Sequence, residues 1–328
     1  MEIRKQIQKG VVSDEVQALI AVVRPIILGT LYSMKREVIN DYGGVNNIKL
    51  RQLARAYKPG DGDCGICFEY AVHDAIVNGN PVVIEKIDDA LTKHCKIKGD
   101  KPSSILFGAE KDGTIQLIKS VKDYLTKESK LLAGSKGQPV KLKKHIDAVY
   151  AAFRSSAARA NLPESINGLW KADLFVGKTE PDQWVGTTVK INSSLLEHAP
   201  GLRLGLVPSK EGKNDSIKKD DIKNLIICPL PYDDSFMQIF YQGWQIVKQF
   251  LHAEAYVPKE ANLSRPSDRQ VCRFLEEKRE FPVVDVLEAL FPLAQPELFY
   301  SETESDEVIV HKGTGSTTGA VIAPISKQ

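Results

Sequence analysis

Hydrophobic positions follow two different spacings along this chain, and the change falls near residue 170. Upstream, apolar residues recur every three or four positions, the signature of helices with one buried face. Ser13-Asp14-Glu15 is a helix start, and Val16, Leu19, Ile20 and Val23 follow at helical intervals. Pro25 kinks or restarts this helix, which is expected to end before Tyr42-Gly43-Gly44. Residues 48–57 predict a short packing helix, with Leu50, Leu53 and Ala54 on one side and Arg51 and Arg55 on the other. After the loop 59–63, residues 64–78 predict a buried helix closed by Gly79-Asn80-Pro81, and residues 82–84 a short strand. Further helices are expected over 114–132 and 141–161, with 134–139 between them.

Downstream the pattern turns to alternation, which marks strands. Strands are expected at 171–176, 184–191, 202–207 and 224–229, with a turn at 177–182 joining the first two. A long helix over 235–255 carries Phe236, Ile239, Phe240, Trp244, Val247 and Phe250, and shorter ones follow at 271–278 and 283–290. The fold class is therefore α/β, a mixed central β-sheet of at least four strands flanked by helices, with a lysine-rich helical insertion. The expected organisation is an N-terminal helical region (1–60), a core helix and short strand (61–85), the lysine-rich insertion (86–165), an α/β core with C-terminal helices (166–300), and a flexible Ser/Thr/Gly-rich tail (301–328).

Composition narrows the class. With 42% hydrophobic and 26% charged residues, the chain is neither disordered nor fibrous. The most apolar run, 18–31, is interrupted by Arg24 and Pro25, so no membrane span is expected. Five cysteines without a regular framework fit a reducing compartment, and a cytoplasmic location is expected. The net charge of +2 hides an asymmetry: residues 86–144 hold 14 lysines against 7 acids, a balance of +7 that leaves −5 elsewhere. Such a segment attracts phosphate backbones, with Lys141, Lys143 and Lys144 its densest cluster.

Candidate chemistry lies on the first two strands after Trp170. Alternation puts Val185, Thr187, Val189 and Ile191 on one face and Thr188, Lys190 and Asn192 on the other. Lys190 in a buried-looking strand needs an anion beside its ammonium. Asp173 stands between Lys171 and Phe175 on the preceding strand, opposite the face of Ala172, Leu174 and Val176. Neighbouring strands joined by the turn would aim Asp173 and Lys190 at one site.

This run, a strand with Asp, a turn, a strand ending x-x-Lys, two more strands and a helix, resembles the restriction-endonuclease-like core of PD-(D/E)xK nucleases. The resemblance implies that Asp173 binds Mg²⁺ (or Mn²⁺) and that Lys190 orients the attacking water or stabilises the transition state. It also implies a second acid two residues before the lysine. Thr188 stands there instead, and would help through water or a backbone carbonyl; a glutamate at 188 would restore the family pattern. Many members add a helical glutamate, and Glu69 in the 64–78 helix matches it, with His73 one turn on. The implied function is a metal-dependent nuclease acting on DNA, with RNA as the other candidate, in restriction or anti-phage defence. A second copy of the chain or other defence-system subunits are the implied protein partners. Two other readings remain: a catalytically inactive nucleic-acid or protein-binding module on the same fold, and a cysteine hydrolase using Cys67, a thiol near a helix start.

Overall fold

The computed structural model describes residues 14–58, 64–107, 124–133, 139–198, 200–210, 215–233, 235–259, 263 and 265–290, and the backbone of 308–312 and 320–324. It is α/β, a mixed open sheet between layers of helix. The first layer begins with α1 (Asp14–Ser33), α2 (Arg36–Asp41), α3 (Leu50–Ala56), α4 (Cys64–Val77) and α5 (Pro81–Asp89). Helix α1 runs unbroken through Pro25, where a lost hydrogen bond and a ring clash cost about 3 kcal/mol. Burial of Val16, Leu19, Ile20, Val23, Ile26, Ile27 and Leu31 offsets that cost. By length and composition α1 is apolar enough to cross a membrane, but here it is the core helix of the layer, packed on α4 and on the C-terminal helices.

Residues 82–84 are helical, against the expected strand. Asn80 caps α5 by accepting from the Val83 amide at 3.1 Å, and Pro81 occupies the first turn, where its missing N–H is no loss. That capping signal outweighs the strand preference of three β-branched residues.

Among the described residues the sheet has eight strands: β1 (Ser103–Leu106), β2 (Lys130–Leu132), β3 (Pro139–Lys141), β4 (Leu174–Lys178), β5 (Gln183–Val189), β6 (Arg203–Pro208), β7 (Lys218–Asp220) and β8 (Leu225–Leu230). Their order is β1-β4-β5-β6-β8-β7. The β4–β5 pair is antiparallel, whereas β5–β6 and β6–β8 are parallel. Beside β5, the edge facing β6 is shared, with β2 running parallel to residues 183–185 and β3 pairing outside β2.

The lysine-rich region is thus part of the sheet. Its described residues supply β1, β2 and β3, then α6 (Ile146–Arg154) and α7 (Ser156–Ala160), in place of the continuous helix expected over 141–161. Most of the helix expected over 114–132 lies outside the described residues, and 130–132 are β2. The loop 59–63 also lies outside them. The C-terminal part of the first layer is α8 (Met237–His252), α9 (Pro266–Glu277) and α10 (Val283–Leu290). In the tail, expected to lack structure, β9 (Val308–Lys312) and β10 (Ala320–Pro324) form an antiparallel pair.

Alternation sends the two main core clusters to opposite faces of the sheet, and a third, of Leu196, Val207 and Leu225, is small. Leu174, Val176, Val185, Val189, Leu204 and Leu206 join the helices of the first layer. Phe175, Trp184 and Ile105 face the other way onto Ile146 and Val149 of α6. The two main helices of the first layer meet at Gly29, where an added Cβ would lie 2.8 Å from the Cys67 Cα and 3.0 Å from its amide nitrogen. Gly29→Ala is therefore expected to push α1 off α4 and destabilise the protein by about 1–3 kcal/mol. Urea unfolding of the two proteins checks this, and an unchanged midpoint would mean that the helices slide apart freely.

Candidate active site

Asp173 precedes β4 and lies opposite Thr188 of β5, since Leu174 is registered with Thr187 and the Asp173 amide donates to the Thr187 carbonyl at 2.8 Å. One of its oxygens, Oδ2, accepts from three donors: Val189 N at 2.8 Å, Lys190 Nζ at 3.0 Å and Thr188 Oγ1 at 3.1 Å. Oδ1 accepts none of the hydrogen bonds found among the described residues and is the oxygen left for a ligand. Lys190 follows the last residue of β5 and keeps the sheet pattern by donating its amide to the Leu206 carbonyl at 3.0 Å.

Glu69 arrives from the helix layer. It lies on α4, and its Oε1 is 3.2 Å from Lys190 Nζ. The two contacted carboxylate oxygens are consequently at most about 6.2 Å apart, against the ~4.0–5.2 Å that two 2.0–2.6 Å bonds to a single hard cation span. Both acids are nearly closed off, with side chains 9% and 12% exposed, while the Lys190 side chain is 29% exposed. The lysine is thus the most exposed of the three. Burial pulls its pKa down, but Asp173 and Glu69 outweigh this and hold it above the usual lysine value.

The four residues singled out from the sequence as catalytic, Glu69, Asp173, Thr188 and Lys190, therefore meet at one point. Thr188 does so differently from expectation. Its side chain is buried and its hydroxyl is spent on Asp173, so it orients that acid. A glutamate at 188 would set two carboxylates in contact in a closed site, which is costly without a cation between them. His73 turns to β1, its Nδ1 lying 3.0 Å from Ser104 Oγ. Burial foremost, with Arg24 acting against Asp74, holds its pKa below the usual histidine value.

As metal ligands, Glu69 and Asp173 offer two hard oxygen donors. No third His, Cys, Asp or Glu completes a metal-binding group with them among the described residues. Two carboxylates suit Mg²⁺, which keeps several waters and takes phosphate oxygens as its remaining ligands. The other lysines of the prediction are elsewhere: Lys141 pairs with Glu128 at 2.9 Å, Lys143 donates to the Leu125 carbonyl at 2.9 Å, and Lys144 is exposed.

Two charged residues near the site escaped sequence reasoning. Arg203 opens β6, and Glu197 lies in the segment after Lys190, where it pairs with Lys171. The Lys171 hydrogen bond and charge, then the lesser pull of Arg203 and Lys190, lower the Glu197 pKa against a small opposing effect of burial. Arg203 gives the same signal as Lys190, a cation in an apolar strand. A cavity of about 360 Å³ also exists, but it lies on another side of α4 among Ala18, Val22, Ala75, Phe236 and Ile239, and none of the four site residues lines it.

Four of the five cysteines are buried, Cys67 among them. Cys67 is buried at the α1–α4 contact, its thiol donating to the Ile26 carbonyl at 3.4 Å. Cys95, Cys228 and Cys272 are buried, and desolvation pushes each thiol up to about 12. Comparison with protein-family models, curated proteins and solved structures finds no match to the chain. Iodoacetamide near pH 7 is expected to label partly exposed Cys64 first and the other four only on unfolding. Mass spectrometry of peptides from the native protein checks this, and rapid labelling of Cys67 would bring back the thiol-enzyme reading.

Proposed function

We propose that this protein is a metal-dependent nuclease with a restriction-endonuclease-like core. It hydrolyses phosphodiester bonds in DNA, with RNA as the other candidate, in the cytoplasm and in restriction or anti-phage defence. The observation that carries the reading is one ammonium shared by two nearly closed-off carboxylates, Glu69 from a helix and Asp173 from the sheet. Glu69 and Asp173 Oδ1 would hold Mg²⁺ or Mn²⁺. When bound, the ion neutralises charge on the phosphate and lowers the pKa of a coordinated water. The Val189 amide and Thr188 hydroxyl hold Asp173 in one orientation, so its free oxygen has a defined direction. Lys190, the most exposed of the three, pairs with a phosphate oxygen or positions the attacking water. A second reading, an inactive nucleic-acid-binding module, is favoured by the hydroxyl of Thr188 in the second-acid position.

Asp173→Asn and Lys190→Ala are expected to lower Mg²⁺-dependent cleavage of plasmid DNA by about a hundredfold or more, with DNA binding retained. Thr188→Val should lower it roughly tenfold through a misoriented Asp173, and Thr188→Glu should lose activity or stability. Assays with Mg²⁺ and Mn²⁺ on supercoiled DNA, single-stranded DNA and RNA decide between the readings. A wild-type protein that binds all three and cleaves none is a binding module.

The lysine cluster should affect affinity rather than chemistry. Exchanging Lys141, Lys143 and Lys144 for Glu is expected to weaken DNA binding and reduce the slope of log K against log salt by at least about one, given roughly 0.9 per phosphate contact. Titrations at several salt concentrations check this, and an unchanged slope would mean that these side chains serve only Glu128, Leu125 and solvent.

A further inference from the structure

The cavity of about 360 Å³ lies where α1, α4 and α8 draw apart. At one end the helices touch closely. Gly29 of α1 meets Cys67 of α4, and an added Cβ at Gly243 of α8 would lie 2.6 Å from Val22 Cγ2. Toward the start of α1 the contacts loosen, because Ala18, Ala21, Ala71 and Ala75 stand where larger side chains would fill the gap, with Phe236 and Ile239 also lining it. Leucine suits a helix about as well as alanine, so helix formation does not require alanines there. Small-molecule sites run to about 300–1,000 Å³, and this space is of that size.

The lining carries two carboxylates, Asp14 and Asp74, and no cationic side chain. Asp14 is exposed, whereas the Asp74 side chain is only 9% exposed. Oδ2 of Asp74 pairs with Arg24, and Oδ1 accepts none of the hydrogen bonds found among the described residues. A nearly buried carboxylate oxygen without a donor is costly, and a donor entering the cavity would satisfy it. The first turns of α5 and α8 also border the space and would by themselves favour an anion. Their donors are engaged, however. Asn80 accepts from the Val83 amide, Pro81 has no N–H, and the Gln238 amide donates to the Asp233 carbonyl at 3.0 Å.

We propose that this cavity binds a small organic amine, its apolar body among the alanines and Phe236 and its ammonium on Asp74 Oδ1. Asp14 and Asp74 stand against the single guanidinium of Arg24, so one further positive charge balances the group. The inference goes beyond the nuclease reading and does not rest on it.

The test uses the full chain and three probes of one shape, phenylbutylamine, phenylbutanol and phenylbutanoate. Binding is measured by calorimetry and by thermal unfolding near pH 7, where the amine is charged. Phenylbutylamine is expected to bind at least about tenfold more tightly than phenylbutanol and to raise Tm by about 3 °C or more at saturation. Phenylbutanoate should not bind. Ala18→Leu and Ala75→Leu, which put larger side chains into the cavity, should stay folded and lose at least about tenfold in affinity for the amine. Asp74→Asn should bind amine and alcohol alike; because it also unpairs Arg24, the leucine variants carry the test where it fails to fold. Equal wild-type affinity for amine and alcohol, or tighter binding of the carboxylate, would overturn the proposal. Amine affinity unchanged in both leucine variants would put the amine elsewhere and overturn it as well. So would no binding of any probe, and leucine variants that are then destabilised mark a cavity filled by another segment of this chain.

Discussion

The need of two buried carboxylates for a cation organises this site and the elements around it. Glu69 and Asp173 come from different layers, and a carboxylate taken out of water is costly unless it is paired. Lys190 meets both, so the pair ties α4 to the end of β5 across the helix–sheet boundary. Breaking one partner of a fully buried pair costs about 3–5 kcal/mol; here the 29% exposure of the lysine reduces that figure through solvent screening.

The strand that brings Lys190 there is constrained from both sides. β5 is interior to the sheet, with β4 on one edge and β2 and β6 sharing the other, so its register cannot slip without losing pairing along both. A one-residue slip would send Val185 and Val189 into the smaller core and turn Thr188 away from Asp173. The hydrophobic pattern of a single strand therefore fixes the geometry of the acid. Helix α4 is held as firmly by Gly29 of α1, by the Arg24–Asp74 pair and by His73 on Ser104 of β1. Glu69 and Asp173 sit on elements whose positions are set by packing elsewhere.

That division explains what could be read from the chain. The strands at 174–178, 183–189, 203–208 and 225–230 were legible because apolar alternation is long and bounded by turn residues. The helix at 64–77 was legible because its apolar stretch ends at Gly79-Asn80-Pro81. Asp173, Lys190 and Glu69 stood out as charges within apolar runs. β1, β2, β3 and β7 were not legible, being three or four residues long and stabilised by pairing to β4, β5 and β8 rather than by their own pattern. Residues 82–84 were misread because Val-Val-Ile favours strands, while the helix cap two residues earlier decides the matter. The role of Thr188 was also hidden, since a hydrogen bond to a residue 15 positions away leaves no local trace.

The hydroxyl at Thr188 is understood from the charge it avoids. An acid at 188 would place a second negative charge against Asp173 in a closed part of the sheet, and a metal would have to be present for the fold to tolerate it. A hydroxyl there stabilises Asp173 at no charge cost. Two acids on one ammonium then leave a net negative charge at the meeting of α4 and β5. On the proposed nuclease reading that charge would favour a cation, and substrate phosphate would complete a coordination that two carboxylates alone leave open, so that occupancy by metal and by nucleic acid would be mutually dependent.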